Sequence, residues 1–298
     1  MSTIPTERRA GVLILSYRRA GKIRTLKALQ QIKWTGPVYI VVSSDDEQLP
    51  QYRELYPNLY VFDRQAVQCD YYDNLPPTGP LAARNKAWDI AQDLGWTHFV
   101  VLDDDYTRFY VYSLWPGNPN HHGVIRWVPE GWGDRLFHRM WDFLDNTPKV
   151  LCITFSQTGD MNPQTRRKIM QTFFLRTDRR FEFVARLNDD VTTYYDLGLR
   201  GEVVIQIPAI MISQGCTQSQ PGGLTEEYLR YGTYAKSMYT VLRWPAHCKV
   251  EYLSQVWRVH HHIVRYPYPC IIREPNAPDI DALDLGVNCM SMSVEEKE

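Results

Sequence analysis

Short apolar runs alternate with helical patterns through the first third of the chain, and this alternation constrains the fold more than any other feature. Four runs have the composition of buried strands: residues 12–17, 38–42, 59–62 and 98–102. Helical patterns follow the first run, with apolar residues recurring from Ile23 to Ile32, and precede the last run, over residues 80–94. Strands that are apolar almost throughout are typical of parallel sheets covered on both faces. The pattern therefore predicts a parallel α/β sheet with helices on its faces.

The rest of the chain gives weaker patterns, which predict further strands and helices after an ordered loop rich in Trp, Pro, Gly and His. The loop covers residues 112–133, and the predicted helices are residues 135–144, 189–197 and 225–243. The predicted strands are residues 150–155, 173–175, 181–184, 203–212, 249–253 and 257–264. The strands at 173–175 and 181–184 are expected to pair with each other around Asp178.

The formal net charge of -1 hides an uneven distribution of charge. Residues 274–298 carry seven acids and one base, so residues 1–273 have a net charge of +5. We expect the last 25 residues to form an acidic C-terminal tail. A net charge close to zero would ordinarily argue against a nucleic-acid partner. The net positive charge of residues 1–273, called the basic body below, removes that argument.

Three features favour a soluble cytoplasmic protein that has no contact with membranes. The longest apolar runs fall far short of the roughly 20 residues that a bilayer-spanning helix needs. The first residues are polar and charged, unlike the apolar centre of a signal peptide. The six cysteines include no C-x-x-C pair, which is typical of reduced thiols in a chain of this length. No obligate protein partner is evident.

Three consecutive carboxylates, Asp103, Asp104 and Asp105, follow the fourth predicted strand. Ligands of open α/β sheets bind outside the carboxyl ends of the strands, and adjacent carboxylates repel one another unless a cation neutralises them. The alternation of side chains along a strand would direct Asp103 and Asp105 to the same side, where two oxygens suit one hard cation. The alternative is a solvated acidic turn that caps a helix.

The segment Ala82-Ala83-Arg84-Asn85, followed by a strand that ends in the Asp triplet, resembles the core of GT-A-fold nucleotide-sugar glycosyltransferases. The resemblance implies that Asp103 and Asp105 bind Mn²⁺ or Mg²⁺ against the donor diphosphate. It also implies a set of residues that contact the nucleotide sugar at the ends of the first, second and fourth strands. These are Ser16, Tyr17, Arg18, Lys22, Ser43, Asp45, Arg84 and Asp104, with Asp46 as the alternative to Asp45 and Arg24 as the alternative to Lys22.

A second acidic group, Asn188-Asp189-Asp190, precedes a predicted helix. In the GT-A-fold glycosyltransferases that the chain resembles, an acidic pair at such a position supplies the general base that deprotonates the acceptor hydroxyl. The alternative is that these residues only cap the helix, since Asn and Asp are favoured caps. Asp189 and Asp190 are equally good candidates for the base.

The tract His260-His261-His262 lies in a predicted late strand, so His260 and His262 share one face. The resemblance implies that one of them adds a third ligand to the metal. A nickel or zinc site and simple surface exposure are alternatives, and His121-His122 is a rival pair.

Two clusters of basic residues stand out. The first contains Arg18, Arg19, Lys22, Arg24 and Lys27, and phosphate groups of a nucleotide would explain it. The second spans residues 164–186 and is expected beside the proposed base, where the phosphate backbone of a nucleic acid would suit it. A solvated basic face is the alternative. The bases of the second cluster are Arg166, Arg167, Lys168, Arg176, Arg179, Arg180 and Arg186.

Four segments together resemble a narrower family, the TET/JBP-associated glycosyltransferases of bacteriophages, over roughly residues 11–265. The segments are residues 15–22, 79–85, 102–106 and 187–194. The resemblance implies an α/β fold: a single GT-A-like, Rossmann-like domain with a mixed, mainly parallel sheet flanked by helices. The domain would cover residues 1–273, with a nucleotide-sugar-binding half (about 11–110) and an acceptor-binding half (about 111–273).

This resemblance further implies that a sugar moves from a UDP-sugar, with glucose favoured, to the hydroxyl of 5-hydroxymethylcytosine in DNA. A phage enzyme would act in the host cytoplasm. Trp115, Trp127 and Trp132 are candidates for the wall of the acceptor cleft, although they suit a core equally well.

Three other functions remain open from the sequence alone. The chain could be a glycosyltransferase with a saccharide or cell-surface acceptor. It could be a sugar-nucleotide nucleotidyltransferase, although the loop at residues 18–22 holds only one Gly, fewer than the phosphate-binding loops of those enzymes. It could also be a non-catalytic DNA-binding module.

Overall fold

The computed structural model describes residues 8–67, 79–113, 124–158, 171–215, 224–255 and 258–265, and from residue 252 onward only the backbone. The strands in this part of the chain are β1 (Ala10–Leu15), β2 (Val38–Ser43), β3 (Leu59–Phe62), β4 (His98–Asp103), β5 (Tyr106–Ser113), β6 (Val124–Trp127), β7 (Val150–Gln157), β8 (Phe173–Arg176), β9 (Val203–Gln214), β10 (Cys248–Gln255) and β11 (Arg258–Arg265). The helices are α1 (Arg24–Gln31), α2 (Leu49–Leu55), α3 (Gly79–Asp93), α4 (Gly133–Asn146), α5 (Asp189–Leu199) and α6 (Thr225–Arg243).

Nine of these strands form one sheet, in the order β3-β2-β1-β4-β8-β7-β9-β5-β6. The first four run parallel to one another, whereas β8 and β5 run against the other seven. The prediction of a mixed, mainly parallel sheet flanked by helices is therefore confirmed. Strands β10 and β11 form a separate antiparallel pair that packs against α6.

Helices cover both faces of the large sheet. On one face, α1 and α4 pack over alternate residues of β1, including Val12 and Ile14. On the other face, α3 and α5 cover the residues between them, including Leu13. Because every strand residue is covered on one side or the other, β1 and β4 read as continuous apolar runs. In the described residues, no helix is both long and apolar enough to cross a bilayer.

The structure corrects several details of the prediction. Residues 181–184 do not form a strand, and β8 pairs instead with β4 and β7. The apolar residues there, Phe181 and Phe183, pack against Trp88 of α3, so their burial reflects loop packing. Helix α2 and strands β5 and β6 were not predicted from the sequence. The end of β5 and the whole of β6 fall within residues 112–133, which were expected to form a loop. Trp115 and His121-His122 lie outside the described residues, as do the acidic tail and its boundary at residue 274.

Candidate active site

The carboxyl ends of β1, β2 and β4 meet at one edge of the sheet. Strand β1 lies between the other two, and Leu15 pairs with Val41 on one side and with Asp103 on the other. The residues that follow each strand therefore come together, as the order of the parallel strands requires. Ser16 and the Asp triplet, which are 88 residues apart, are in direct contact as a result.

The three aspartates of the triplet differ sharply in their surroundings. Asp104 is buried, and its carboxylate accepts hydrogen bonds from Ser16 Oγ (2.7 Å) and Arg19 Nη1 (2.5 Å). Asp103 and Asp105 are partly exposed, with 35% and 23% of the side-chain surface accessible. Strand β4 ends at Asp103 and the chain then turns, so strand alternation is the wrong reason for pairing Asp103 with Asp105.

The charges of the triplet are only partly compensated. Burial raises the pKa of Asp105 to about 7, and the charges of Asp103 and Asp104 add to this effect, while Arg19 opposes it. Asp103 and Asp105 thus offer accessible carboxylate oxygens in a region with excess negative charge, which is the donor set that a hard divalent cation prefers. Among the described residues, no group of three or more His, Cys, Asp and Glu side chains is arranged as a metal site.

The loop after β1 holds four of the predicted nucleotide-binding residues, namely Ser16, Tyr17, Arg18 and Lys22. The guanidinium of Arg18 donates to Glu47 (2.9 Å) and Glu226 (2.9 and 3.0 Å), so it connects this loop to the start of α6. The ring of Tyr17 lies 5.2 Å from the guanidinium carbon of Arg18. Lys22 is exposed.

The end of β2 separates the two candidates Asp45 and Asp46. The carboxylate of Asp46 is buried and accepts the backbone amides of Arg18 (2.7 Å) and Gln48 (2.8 Å), so it holds the loop. Asp45 is exposed, accepts a hydrogen bond from Ser43 Oγ (2.5 Å), and pairs with Arg64. Of the two acids, Asp45 is therefore the one accessible to a ligand.

Arg84 connects the two acidic groups of the site. It lies on α3, is almost fully buried, and donates to Asp189 Oδ2 at 2.6 Å and to Asp103 Oδ1 at 3.4 Å. Its guanidinium carbon lies 5.1 Å from the ring centroid of Phe173. The charges of Asp189 and Asp103 raise the pKa of Arg84 against the opposing effect of burial, so the arginine stays charged.

Asp189 and Asp190 begin α5 but occupy different environments. Asp189 is buried in the ion pair with Arg84. Asp190 is partly exposed, and burial together with the charge of Asp189 raises its pKa to about 6. Asn188 does not cap the helix, because its side chain donates to Thr240 of α6 (2.9 Å) instead. The capping alternative therefore fails for Asn188.

Part of the second basic cluster does not lie where the sequence led us to expect it, whereas the position expected for Arg186, three residues before Asp189, stays a prediction. Arg176 pairs with Asp145 and Asp178, and its backbone pairs with His98 at the start of β4, whereas the Asp triplet follows the end of that strand. The prediction that Arg176 lies beside the proposed base is wrong, because β8 runs antiparallel to β4. Arg179 donates to three carbonyl oxygens of its own chain. Residues 166–168 lie outside the described residues.

His260 and His262 lie on β11, opposite Leu253 and Glu251 of β10. Only their backbone is described, so their predicted role as metal ligands stays a prediction.

Four further residues shape the site but were not singled out from the sequence for these roles. Arg19 neutralises Asp104, the hydroxyl of Tyr52 contacts Ser16 (2.7 Å), Asp46 holds the loop after β1, and Lys236 of α6 lies near Asp190. Arg19 was visible only as one member of a basic run. Tyr52 and Lys236 have no local signal, because their roles depend on contacts with distant segments.

The hydroxyl and carboxylate side chains that cluster at the ends of the parallel strands lie where open α/β sheets bind their ligands. The family described as TET-Associated Glycosyltransferase matches residues 10–223 of this chain, and the chain belongs to that family. It is therefore a glycosyltransferase.

No curated protein matches the chain. Among solved structures, the chain is similar to glucosyl-3-phosphoglycerate synthase from Mycobacterium tuberculosis in complex with uridine diphosphate. The identity is 10% and the TM-score is 0.46, over 87% of this chain and 88% of the synthase.

Proposed function

We propose that this glycosyltransferase transfers glucose from UDP-glucose to the hydroxyl of 5-hydroxymethylcytosine in DNA, in a reaction that depends on a divalent metal ion. The observation that carries the proposal is the position of two acidic groups, Asp103–Asp105 and Asp189–Asp190, on either side of the buried Arg84. One group suits a diphosphate-bound cation, and the other suits a base that acts on the acceptor.

On the donor side, the nucleotide occupies the ends of β1 and β2. Tyr17 contacts it from the first loop, and Asp45 accepts hydrogen bonds from the base or ribose. Ser16 and Ser43 act indirectly, because both are buried and their hydroxyls are bonded to Asp104 and Asp45. Asp104 acts indirectly, because its carboxylate is already bound to Ser16 and Arg19. Arg18 and Lys22 bind the phosphates. For Arg18, this requires that the guanidinium give up its ion pairs with Glu47 and Glu226 and bind a phosphate instead. Both glutamates are well exposed, so these ion pairs are weak and the exchange costs little.

Asp103 and Asp105 are the residues that would hold Mn²⁺ or Mg²⁺. When bound, the cation neutralises the diphosphate that leaves with the nucleotide. The partly exposed carboxylates fit such an ion. Burial raises the pKa of Asp105, and the neighbouring charges of Asp103 and Asp104 raise it further, so a bound cation would stabilise the ionised form.

On the acceptor side, we assign the general base to Asp190. The carboxylate of Asp189 is buried and bound to Arg84. Asp190 is partly exposed, its Oδ1 accepts the backbone amide of Val191 at 2.7 Å, and its pKa of about 6 suits proton transfer near neutral pH. Asp190 takes the proton of the acceptor hydroxyl. The oxygen then forms a bond to the anomeric carbon of the sugar, and the bond from that carbon to UDP breaks.

Two observations support DNA as the acceptor: the family to which the chain belongs and the net positive charge of residues 1–273. Residues 1–273 have a net charge of +5, which favours a polyanionic partner. An enzyme that acts on a base in a duplex needs that base exposed in the groove or flipped from the stack.

The test is a transfer assay with radiolabelled UDP-glucose and Mn²⁺. The acceptors are a duplex that contains 5-hydroxymethylcytosine and a matched duplex that contains cytosine. We expect label only in the hydroxymethylated duplex, and loss of label with EDTA. Label in a saccharide acceptor but in no nucleic acid would overturn the DNA acceptor, and better transfer from another UDP-sugar would overturn glucose. Full activity in EDTA would overturn the role of the metal.

Two isosteric substitutions test the assignment of the base. Asp190→Asn removes the proton acceptor, so we expect kcat to fall about 100-fold or more with little change in KM for UDP-glucose. Asp189→Asn is the matched control on the same helix turn, and it should mainly affect stability because Asp189 pairs with Arg84. The opposite pattern, with kcat lost only in Asp189→Asn, would assign the base to Asp189.

A further inference from the structure

The Asp triplet forms a turn between β4 and β5, and the start of α1 packs against this turn. Strand β4 ends at Asp103 and β5 begins at Tyr106, so the other two aspartates make the turn itself. The first two residues of α1, Arg24 and Thr25, both donate their backbone amides to the carbonyl oxygen of Asp104, at 2.8 and 3.3 Å. The start of α1 therefore holds the middle of the turn.

The side chain of Thr25 joins the two ends of the turn. Thr25 is fully buried, and its hydroxyl donates to the carbonyl oxygen of Asp103 (2.6 Å) and accepts the backbone amide of Tyr106 (3.0 Å). These two groups, the carbonyl of the first residue and the amide of the fourth, are the ones that a closed β-turn joins directly. A hydroxyl can donate and accept through one oxygen atom. The path of the backbone through the triplet thus depends on a hydroxyl from another element.

The middle aspartate is also held by its side chain. Ser16 and Arg19 donate to the carboxylate of Asp104 at 2.7 and 2.5 Å, whereas the carboxylates of Asp103 and Asp105 keep accessible surface. The rotamers open to these two side chains depend on the backbone conformation of the turn. Because adjacent carboxylates repel one another, the turn needs contacts from outside to keep this conformation, and α1 supplies them.

We propose that Thr25 is a positioning residue for the divalent cation, which fixes the turn in the conformation that presents the carboxylates of Asp103 and Asp105 to the ion. The proposal rests on the proposed function, in which these two residues hold Mn²⁺ or Mg²⁺. A site that is already formed binds more tightly, because the chain does not have to be ordered on binding. Since Thr25 is fully buried, it acts on the cation only through the turn.

The experiment is a titration of the whole protein with Mn²⁺ in the presence of UDP, in which electron paramagnetic resonance measures the free ion. Thr25→Val keeps the shape of the side chain but removes the hydroxyl, so we expect the Kd for Mn²⁺ to rise about tenfold. Thr25→Ser keeps the hydroxyl and should restore most of the affinity. Thr97→Val is the matched control, because the hydroxyl of Thr97 lies near the amide (3.3 Å) and carbonyl (3.2 Å) of Arg9 at the opposite end of β4. It should leave the Kd unchanged.

Transfer kinetics separate a positioning role from a loss of folded enzyme. In the transfer assay with UDP-glucose, Thr25→Val should raise the Mn²⁺ concentration that gives half-maximal rate by about tenfold, and saturating Mn²⁺ should restore most of kcat. An unchanged Kd for Mn²⁺ in Thr25→Val, or a kcat that saturating Mn²⁺ does not restore, would overturn the role of Thr25. If Thr25→Val does not fold, Thr25→Cys, with a weak thiol donor in place of the hydroxyl, supplies the comparison with Thr25→Ser.

The binding measurement needs no catalysis, so it separates the inference from the proposed function. Weaker Mn²⁺ binding by Thr25→Val, together with no glucose transfer by the wild-type protein, would support the role of Thr25 and count against the proposed function alone. A wild-type protein that binds no Mn²⁺ would overturn the metal in the proposed function, and the role of Thr25 with it.

Discussion

Arg84 shows how one buried residue organises the candidate site. Its guanidinium neutralises Asp189 and contacts Asp103, while the rings of Phe173 and Phe183 exclude water around it. A buried ion pair of this kind adds little net stability, but loss of one partner leaves an uncompensated charge in a poorly solvated place. Arg84 was predicted to help hold the nucleotide, and its surroundings give it a second task, which is to hold the start of α5 against β4.

The first prediction concerns this ion pair. Arg84→Met should destabilise the protein by about 3–5 kcal/mol because Asp189 is left buried without a partner. The double variant Arg84→Met/Asp189→Asn should recover a large part of the loss, since neither charge remains. Urea unfolding of the three proteins measures both values. A double variant no more stable than Arg84→Met would show that packing of the arginine, and not charge, dominates.

The second prediction concerns Asp190 and pH. Its folded-state pKa, about 6, lies above the ordinary value of 3.8, so the folded state binds the proton more tightly than the unfolded state does. This contribution to stability is present below pH 4 and disappears as the pH rises through 6. Asp190→Asn should therefore raise the melting temperature at pH 8, by on the order of 3 °C, with little effect near pH 4. Equal melting temperatures at both pH values would contradict the raised pKa.

At the scale of elements, the contact between α4 and the segment after α1 depends on a glycine. The backbone amide of Gly133 donates to the carbonyl of Ile32 at 2.8 Å. A Cβ at this position would lie 2.9 Å from Ile32 O and 2.9 Å from Trp34 N, both of which are backbone atoms that cannot move independently. Close approach of two backbones is thus the reason for glycine at the start of α4.

The third prediction follows from this contact. Alanine usually favours a helix over glycine, but Gly133→Ala should destabilise the protein by about 1–3 kcal/mol because α4 must move away from α1. Thermal or urea unfolding measures the effect. Arg139→Ala, on the exposed part of the same helix, is the control and should change stability by less than about 0.5 kcal/mol. A Gly133→Ala protein as stable as this control would show that the contact yields readily.

At the scale of the whole molecule, charge is distributed unevenly along the chain. Residues 1–273 have a net charge of +5, and residues 274–298 have -6. Several bases of the body are bound to its own acids, as Arg176 is to Asp145 and Arg180 is to Asp89. The attraction for DNA is therefore expected to come from the net charge of the body more than from a single cluster of free arginines.

The fourth prediction is that removal of the residues after Pro275 strengthens non-specific binding to DNA at low salt, because the acidic segment repels the phosphate backbone. Binding of a labelled, unmodified duplex across a salt titration measures the effect. The difference between the full and shortened chains should shrink as the salt concentration rises. Identical binding at every salt concentration would rule out this role for the segment.

Local patterns in the sequence were sufficient for the order of most elements and for the ends of the strands that carry the site. Strand β4 is recognisable because a run of apolar residues ends abruptly in three aspartates. The helical segment Thr225–Arg243 has the predicted ends, but a non-helical backbone at Gly232 (φ 77°) divides it, which was not predicted. The signals for this strand and this helix are both local, because each depends on residues that are close together in the sequence. The loop at residues 181–184 was mistaken for a strand because buried loops and strands share an apolar composition.

The sequence by itself determined the class of fold and the acidic groups to consider, since both follow from residue types at short spacing. Only the tertiary structure showed which of these carboxylates are already paired with distant side chains. Asp104 is occupied by Ser16, and Asp189 by Arg84, through contacts that span 88 and 105 residues of the chain. Neighbouring aspartates are equivalent in a sequence, but burial and pairing, which depend on distant segments, give them different charges and different roles.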